Sequence, residues 1–306
     1  MTRPLPSDPL INELVRRARG MRLSRRQLFT GTALGAAALG TTTLAGCAPA
    51  AGPGDGSGGE INWANWTYYL DFDEDTGSWT TLDAFMKKTN VRVNYYEDIE
   101  DNNTFIGKIK DQLKLHQDTG YDTFCLSDTS VVRLLERKEL QEFDRSSMPN
   151  TNANMIDIVQ RANFDPDRVS SVPYQAGMTG LVYNTQLYPE GVRNVSDLWA
   201  PALKGKVGVL SEMDDTLGLI MLEQGVDVEG DWGDAEFEAA LDVIRAQLQA
   251  QQIATVKGNS YTQDLEQGVI HAGMAWSGDV AILNEDAGEE IWKFVVPDAG
   301  ATLFVD

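Results

Sequence analysis

Short apolar runs alternate with amphipathic stretches along the chain from residue 61 onward. Apolar residues recur every three or four positions in an amphipathic helix and at every second position in a half-buried strand. These patterns predict strands at residues 61–66, 91–95, 122–127, 181–183, 206–210 and 272–276. They predict helices at residues 82–88, 105–116, 130–138, 195–199, 216–224, 235–251 and 261–267. Because strands alternate with helices, we expect an α/β protein whose mainly parallel sheets are flanked by helices.

The last predicted strand leads directly to an aromatic residue and a carboxylate. Its apolar residues 272–275 precede Trp276, and Asp279 follows three positions later. Gly278 tolerates a sharp turn and would let both side chains face one space beyond the end of the strand. An aromatic ring beside a carboxylate suits a desolvated organic cation. The alternative interpretation is a core tryptophan followed by an aspartate that caps the next helix.

The first 46 residues have the composition of an export signal and are kept apart from the fold. They hold seven Arg and no Lys, and the pair Arg25 and Arg26 precedes an apolar run at residues 29–44. The twin arginine resembles the signal of the folded-protein export route. A transmembrane anchor is the alternative, but a run of about 16 residues is shorter than the roughly 20 that span a bilayer.

A lipid anchor and a tether are predicted after this signal. Residues 44–47 read Leu-Ala-Gly-Cys and resemble a lipobox, in which cleavage leaves Cys47 as a lipidated N-terminus. Residues 47–60 are rich in Gly, Pro, Ser and Ala, a composition typical of a flexible linker. We therefore expect an exported lipoprotein held at the extracytoplasmic face of the cell membrane.

The acidic balance of the chain argues against nucleic acid as a partner. The formal net charge is −21, and without the first 46 residues 18 basic and 44 acidic residues remain, a charge of −26. Phosphate binding needs a basic surface instead. A cationic ligand fits this balance, although an acidic surface also serves solubility alone.

No motif of a common enzyme class is present in the sequence. It contains no Gly-rich phosphate loop, no Gly-x-Ser-x-Gly elbow and no His-Glu-x-x-His site. His116 and His271 are its two histidines, and neither has the context of a catalytic triad. The acidic loop at residues 71–77 lacks the glycine and glutamate positions of an EF-hand. Cys125 lies in an apolar run that favours burial. These observations argue against an enzyme, and we expect no metal or cofactor.

A series of local motifs extends over residues 61–306. They are Asn-Trp-Thr-Tyr-Tyr at 65–69, Gly-Tyr-Asp at 120–122, Ser127, Pro-Tyr-Gln-Ala-Gly-Met-Thr-Gly-Leu-Val-Tyr-Asn at 173–184, Asp-Leu-Trp at 197–199, Leu-Lys-Gly-Lys at 203–206, Ser-Tyr-Thr-Gln-Asp-Leu-Glu-Gln-Gly at 260–268 and Ala-Trp-Ser-Gly-Asp at 275–279. Their order and spacing resemble those of the periplasmic spermidine/putrescine-binding components of ABC transporters. The resemblance implies a hinged, two-lobed type II periplasmic-binding-protein fold.

The resemblance also implies the division of the chain into lobes. The first lobe is expected at residues 61–174, and residues 278–306 are expected to return to it. The second lobe is expected at residues 175–277. Members of the family continue past the position of Asp306 with further helices, so relative to that pattern we expect the C-terminal helices to be missing from this chain.

The residues expected to bind the ligand come from both lobes. The resemblance implies the set Trp66, Thr67, Tyr69, Ser127, Asp128, Asp215, Tyr261, Trp276, Asp279 and Asp306. In the family pattern Trp66, Tyr69 and Trp276 line the alkyl chain of a polyamine. Asp279 and Asp306 match the carboxylates that take its amines.

Two positions depart from the family pattern. The acidic motif of the second lobe is poorly reproduced, which leaves Glu212, Asp214 or Asp215 to take an amine, with Asp215 favoured. Thr129 stands where an aromatic residue is usual, and Asp128 beside it could supply a charge instead. Both departures leave the choice of polyamine open.

The resemblance implies a monomeric solute-binding lipoprotein that delivers putrescine or spermidine to the permease subunits of an ABC importer. Another cationic or small organic solute, such as an amino-acid derivative or a metal chelate, is the alternative ligand. A secreted enzyme is the alternative from a different functional class.

Overall fold

The computed structural model describes residues 59–73, 75–160 and 162–306. The predicted signal at 1–46, the lipidation site Cys47 and residues 47–58 of the predicted tether lie outside the described residues. None of the helices in the described part combines the length and hydrophobicity needed to cross a bilayer.

The first lobe is built on a three-stranded parallel sheet in the order β4-β1-β5. In chain order its elements are β1 (Glu60–Trp66), β2 (Phe72–Asp73), β3 (Ser78–Trp79), α1 (Thr80–Thr89), β4 (Arg92–Ile99), α2 (Asn102–Lys114), β5 (Thr123–Phe124), α3 (Asp128–Glu136), a 3₁₀ turn (Arg145–Ser147), α4 (Pro149–Asn154) and α5 (Asp157–Gln160). Helix α2 turns Phe105, Ile109 and Leu113 inward, at the spacing of one helical face. Parallel strands place their carboxyl ends at one edge, and that edge carries the residues after β1.

The second lobe is built on a six-stranded mixed sheet in the order β10-β6-β9-β7-β8, with β11 also paired to β6. Its elements are β6 (Ala176–Asn184), 3₁₀ turns at Val195–Trp199 and Pro201–Leu203, β7 (Val207–Leu210), α6 (Met213–Glu223), α7 (Asp234–Gln249), β8 (Ile253–Lys257), α8 (Tyr261–Glu266), β9 (Ala272–Trp276), α9 (Ser277–Ala287), β10 (Trp292–Val295) and β11 (Thr302–Val305). Strand β9 lies inside the sheet between β6 and β7, and all five of its residues are buried.

The second sheet is not mainly parallel, which corrects the prediction for this lobe. Strands β7, β8 and β9 run parallel, whereas β6 is antiparallel to β9, β10 and β11. The chain enters β6 from the connection between the lobes, so β6 is antiparallel to the strands that begin within the second lobe.

The predicted return of residues 278–306 to the first lobe is wrong for the strands in this segment. Helix α9 ends at Ala287, and Gly288 after it reverses the chain with a left-handed φ of 69°. Trp292 then pairs with Asn184, and Thr302 pairs with Thr179, so β10 and β11 both extend the second sheet. Asp306 reaches the connection between the lobes, where its N–H donates to the carbonyl of Gln175 over 2.8 Å.

Candidate functional site

Aromatic side chains of both lobes meet at the carboxyl ends of β1 and β9. Trp66 closes β1 and Trp276 closes β9, and their ring centroids lie 6.0 Å apart in an edge-to-face arrangement. Tyr69 lies 6.2 Å from Trp66, and Tyr261 lies 5.7 Å from Trp276. The predicted aromatic residues are therefore brought together between the lobes.

Two further aromatic residues extend this cluster. Tyr174 stacks on Tyr69 with centroids 6.0 Å apart, and its hydroxyl donates to the Tyr69 carbonyl over 2.7 Å. Phe304 of β11 lies 6.4 Å from Trp276. Sequence reasoning missed both residues. The Pro-Tyr pair at the lobe connection was the available signal for Tyr174, whereas the position of Phe304 depends on the unexpected strand β11.

Asp279 lies in the first turn of α9, against a hydroxyl that also holds the Trp276 backbone. The Tyr261 hydroxyl donates to Asp279 Oδ2 over 3.0 Å and accepts the Trp276 N–H over 3.0 Å. Surrounding protein removes water from the carboxyl group and raises the pKa of Asp279 to about 7, while the Tyr261 bond opposes this shift. Without a cation beside it, this group keeps its proton to a higher pH than an exposed aspartate does.

Asp306 is a second buried carboxyl group, at the other side of the aromatic cluster. Its Oδ2 accepts a hydrogen bond from the Tyr69 hydroxyl, whereas Oδ1 has no partner among the described residues. Burial raises the pKa of Asp306 to about 6, against the opposing effect of the Ser127 and Tyr69 hydroxyls. A buried acceptor without a donor is costly, so this oxygen suits the N–H of a bound ligand.

Asp215 supports Trp276 and does not face a ligand with a free oxygen. Its Oδ2 accepts the Trp276 indole N–H over 2.8 Å. Its Oδ1 accepts the hydroxyls of Thr179 over 2.6 Å and Thr302 over 3.2 Å. Burial raises the pKa of Asp215, and these three bonds oppose the rise. This geometry fits a carboxylate that positions Trp276, and it shows no oxygen of Asp215 left free for the amine that the sequence led us to expect there.

The other expected site residues lie on the wall of the first lobe. Thr67 is half-buried in the turn after β1. The Ser127 hydroxyl accepts the side-chain N–H of Asn102 over 2.8 Å, which fixes it beside Asp306. Asp128 forms an ion pair with Arg168 at 3.4 Å, so its charge is already matched within the protein.

Residues 80–306 match the family described as bacterial extracellular solute-binding protein. The chain belongs to this family. The chain is similar to spermidine/putrescine-binding periplasmic protein 1 of Haemophilus influenzae, with 24% identity over 226 residues that cover 74% of this chain and 60% of the relative. It is similar to the putrescine-binding periplasmic protein PotF of Escherichia coli, with 26% identity over 260 residues, 79% of this chain and 66% of that protein. This chain thus spans 60–66% of the length of these two relatives.

Solved structures confirm the predicted two-lobed α/β fold of this solute-binding protein. The Tp0655 lipoprotein of Treponema pallidum superposes with a TM-score of 0.65 at 22% identity, over 80% of this chain and 73% of that one. The spermidine/putrescine ABC transporter substrate-binding protein PotD of Streptococcus pneumoniae gives a TM-score of 0.57 at 22% identity, over 81% and 71%.

The two lobes of this solute-binding protein touch each other outside the aromatic cluster. The Glu100 carboxylate accepts the backbone N–H of Ser260 over 3.0 Å and its hydroxyl over 2.5 Å. Glu212 of the second lobe accepts the backbone N–H of Asn102 over 2.5 Å. Burial raises the pKa of Glu212 to about 7. Asp214, the third acidic candidate of this motif, is exposed. These contacts hold the lobes in a closed arrangement.

Proposed function

We propose that the chain is an extracytoplasmic solute-binding protein that captures a polyamine between its lobes and delivers it to an ABC importer. One observation carries this proposal: the cluster around Trp66 and Trp276 lies between two buried carboxyl groups, Asp279 and Asp306, one of which has an unpartnered oxygen. A diamine has the complementary chemistry, since it is an apolar chain with an ammonium group at each end.

The aromatic rings suit the chain and the carboxylates suit its ends. Each cation placed over a ring face contributes about 0.5–2 kcal/mol. The raised pKa values of Asp279 and Asp306 reflect the cost of an unpaired buried charge. An arriving ammonium group removes that cost, and both carboxyl groups then ionise and pair with it. Binding and charge pairing are therefore coupled.

The names of the relatives support the same class of ligand. They include spermidine/putrescine-binding, putrescine-binding and putrescine/cadaverine-binding proteins. All of these are binding proteins, and the proposal contains no catalytic step. A capture role also fits the closed contact between the lobes, because a ligand enclosed by both lobes gains contacts from each.

Titration calorimetry of the purified full-length chain with putrescine, spermidine, spermine, agmatine and arginine tests the proposal. We expect saturable binding of a diamine or a longer polyamine, and weaker binding of arginine, whose carboxylate would face Asp279 or Asp306. Binding of none of the amines, or tighter binding of a neutral solute, would overturn it. Tightest binding of arginine would indicate an amino-acid ligand instead.

We further propose that the protein is a monomeric lipoprotein exported by the twin-arginine route and anchored through Cys47. The support is the order of arginine pair, apolar run and lipobox at residues 25–47. Cys47→Ser should move the protein from the membrane fraction to the soluble fraction. Cys125→Ser is the matched control, because Cys125 is buried in the first lobe and should leave the fractionation unchanged. Membrane retention of Cys47→Ser would contradict the anchor.

A further inference from the structure

Asn102 begins helix α2 in the first lobe and is held in place by a contact from the second lobe. The residue is buried, with 1% of its surface exposed. Its backbone N–H donates to the Glu212 carboxylate of the second lobe over 2.5 Å. An N–H in the first turn of a helix has no acceptor within the helix, and a carboxylate is favoured there. The closed arrangement of the lobes therefore fixes the start of α2.

The Asn102 side chain forms two hydrogen bonds to Ser127, on the wall beside Asp306. Its Oδ1 accepts the Ser127 backbone N–H over 2.9 Å, and its Nδ2 donates to the Ser127 hydroxyl oxygen over 2.8 Å. The first bond fixes the orientation of the amide group, because a backbone N–H can only donate. The amide nitrogen therefore faces the hydroxyl and offers no acceptor for its hydrogen. The hydrogen of the Ser127 hydroxyl has to point elsewhere.

The Ser127 hydroxyl does not have the role that is usual for a serine at its position. Ser127 directly precedes α3, where a serine side chain commonly accepts an N–H of the first helical turn. Within the described residues of α3, it accepts no such N–H. The hydroxyl instead acts on Asp306, whose pKa it lowers against the effect of burial. Asp306 Oδ1 has no donor among the described residues, so it is an acceptor open to this hydrogen.

We propose that Asn102 is a positioning residue of the amine site, which holds the Ser127 hydroxyl so that its hydrogen faces Asp306. This inference rests on the proposed polyamine function. The hydroxyl then stabilises the ionised form of this buried carboxyl group, and the ionised form is the one that pairs with an ammonium group. Asn102 therefore acts on ligand affinity through Ser127 and Asp306.

The first test follows the ionisation of Asp306 without a ligand. Carbon NMR of the full-length chain, labelled at its aspartate carboxyl groups and titrated from pH 5 to pH 8, follows this group, and Asp306→Asn identifies its signal. Asn102→Ala should raise the pKa of Asp306, so the signal should titrate at higher pH. Asn284→Ala is the matched control, because the Asn284 side chain forms the same two kinds of bond, to the backbone of Trp292. Its titration should equal that of the wild type.

A second variant shows whether Asn102 acts through the hydroxyl. Ser127→Ala should shift the Asp306 titration as Asn102→Ala does, and the double variant should shift it no further. The other groups that face Asp306 are unchanged in these variants; they are Tyr69 after β1, Cys125 after β5, Asp128 of α3 with its partner Arg168, and Asp215 of α6. A merely structural role of Asn102 would lower the melting temperature and leave the titration of Asp306 unchanged.

The second test measures putrescine affinity by calorimetry at pH 6 and pH 8. In Asn102→Ala we expect a loss of about fivefold at pH 6, where less of Asp306 is ionised, and of less than about twofold at pH 8. Asn102→Asp is the variant to use if Asn102→Ala does not fold, because it is nearly isosteric and keeps the acceptor for the Ser127 N–H. Its carboxylate draws the hydroxyl hydrogen away from Asp306, so the loss should again be larger at pH 6.

The two tests separate this inference from the proposed function. An unchanged Asp306 titration in folded Asn102→Ala or Asn102→Asp, or an equal loss of affinity at both pH values, would overturn the positioning role. If the titration shifts as expected but the wild-type protein binds no polyamine, the proposed function fails, whereas the action of Asn102 on Asp306 is confirmed.

Discussion

Replacing Asp215 separates a residue that positions a ring from one that binds an amine. Asp215→Asn keeps an oxygen for the indole N–H of Trp276, and its amide group can donate to the Thr179 hydroxyl, which then accepts. Asp215→Ala removes all three of the hydrogen bonds that converge on this carboxylate. The two variants lose the same charge but differ in what they leave around Trp276.

The hydrogen bonds set the size of the effect. In Asp215→Ala the buried indole N–H of Trp276 loses its acceptor, which with the space left behind costs about 2–4 kcal/mol of folding free energy. The ring then loses its fixed orientation, and affinity for the amine should fall at least tenfold, or about 1.4 kcal/mol. In Asp215→Asn a neutral acceptor replaces a charged one, so both losses should stay near 1 kcal/mol.

Chemical denaturation and calorimetric titration of the two variants measure these quantities. If Asp215 instead paired with an amine, Asp215→Asn would leave a buried ammonium group unpaired and cost about 2–4 kcal/mol of binding. Stability would then change little. A large loss of affinity in Asp215→Asn, with nearly unchanged folding stability, would therefore refute the positioning role.

Two further predictions concern pH and closure. The pKa values of Asp279, Asp306 and Glu212 lie near 6–7 in the folded chain and near 4 in the unfolded chain. As the pH rises from 4 to 7, the unfolded chain therefore releases these protons first, and the folded state loses stability relative to it. The protein without ligand should therefore melt at a lower temperature at pH 8 than at pH 5. Its affinity for an amine should fall below pH 6, because the carboxyl groups are then protonated. The opposite trends would contradict the burial of these groups. Gly258→Ala would place a methyl carbon 1.9 Å from a carbonyl oxygen of the first lobe, so it should weaken binding at least tenfold. Gly107→Ala, with open space around it, should bind as wild type; equal affinity of both variants would show that closure does not need this contact.

Local patterns predicted the elements that carry the centre of the site. The apolar residues of β9 and the Trp276 and Asp279 that end or follow them lie within ten residues of sequence, so a local pattern indicates them. Trp66 and Tyr69 likewise lie at or just after the end of β1. These residues meet because the carboxyl ends of β1 and β9 face each other. Hydrophobic periodicity and the known behaviour of open sheets predicted the place of Trp276 and Asp279, whereas the place of Trp66 and Tyr69 in the site was implied by the family resemblance.

Features set by contacts between distant residues had no such signal. Strands β10 and β11 have four residues each, and their partner β6 lies more than a hundred positions away. The role of Asp215 depends on where its two oxygens point, and a carboxylate that holds an indole has the same local sequence as one that holds an amine. The pair of Asp128 and Arg168 spans 40 positions and joins a helix start to a loop.

Titration of Asp279→Asn with the preferred amine tests most directly whether the cleft recognises charge. The matched control is Asp242→Asn, an equal charge change on the exposed side of α7, where the Asp242 side chain is 70% accessible. We predict a loss of about 2–4 kcal/mol for Asp279→Asn at both 10 mM and about 150 mM salt, because a pair inside a closed cleft resists screening. The control should lose less than about 0.5 kcal/mol. Equal losses in both variants that vanish together as salt rises would show that the acidic surface, and not the cleft, binds the amine.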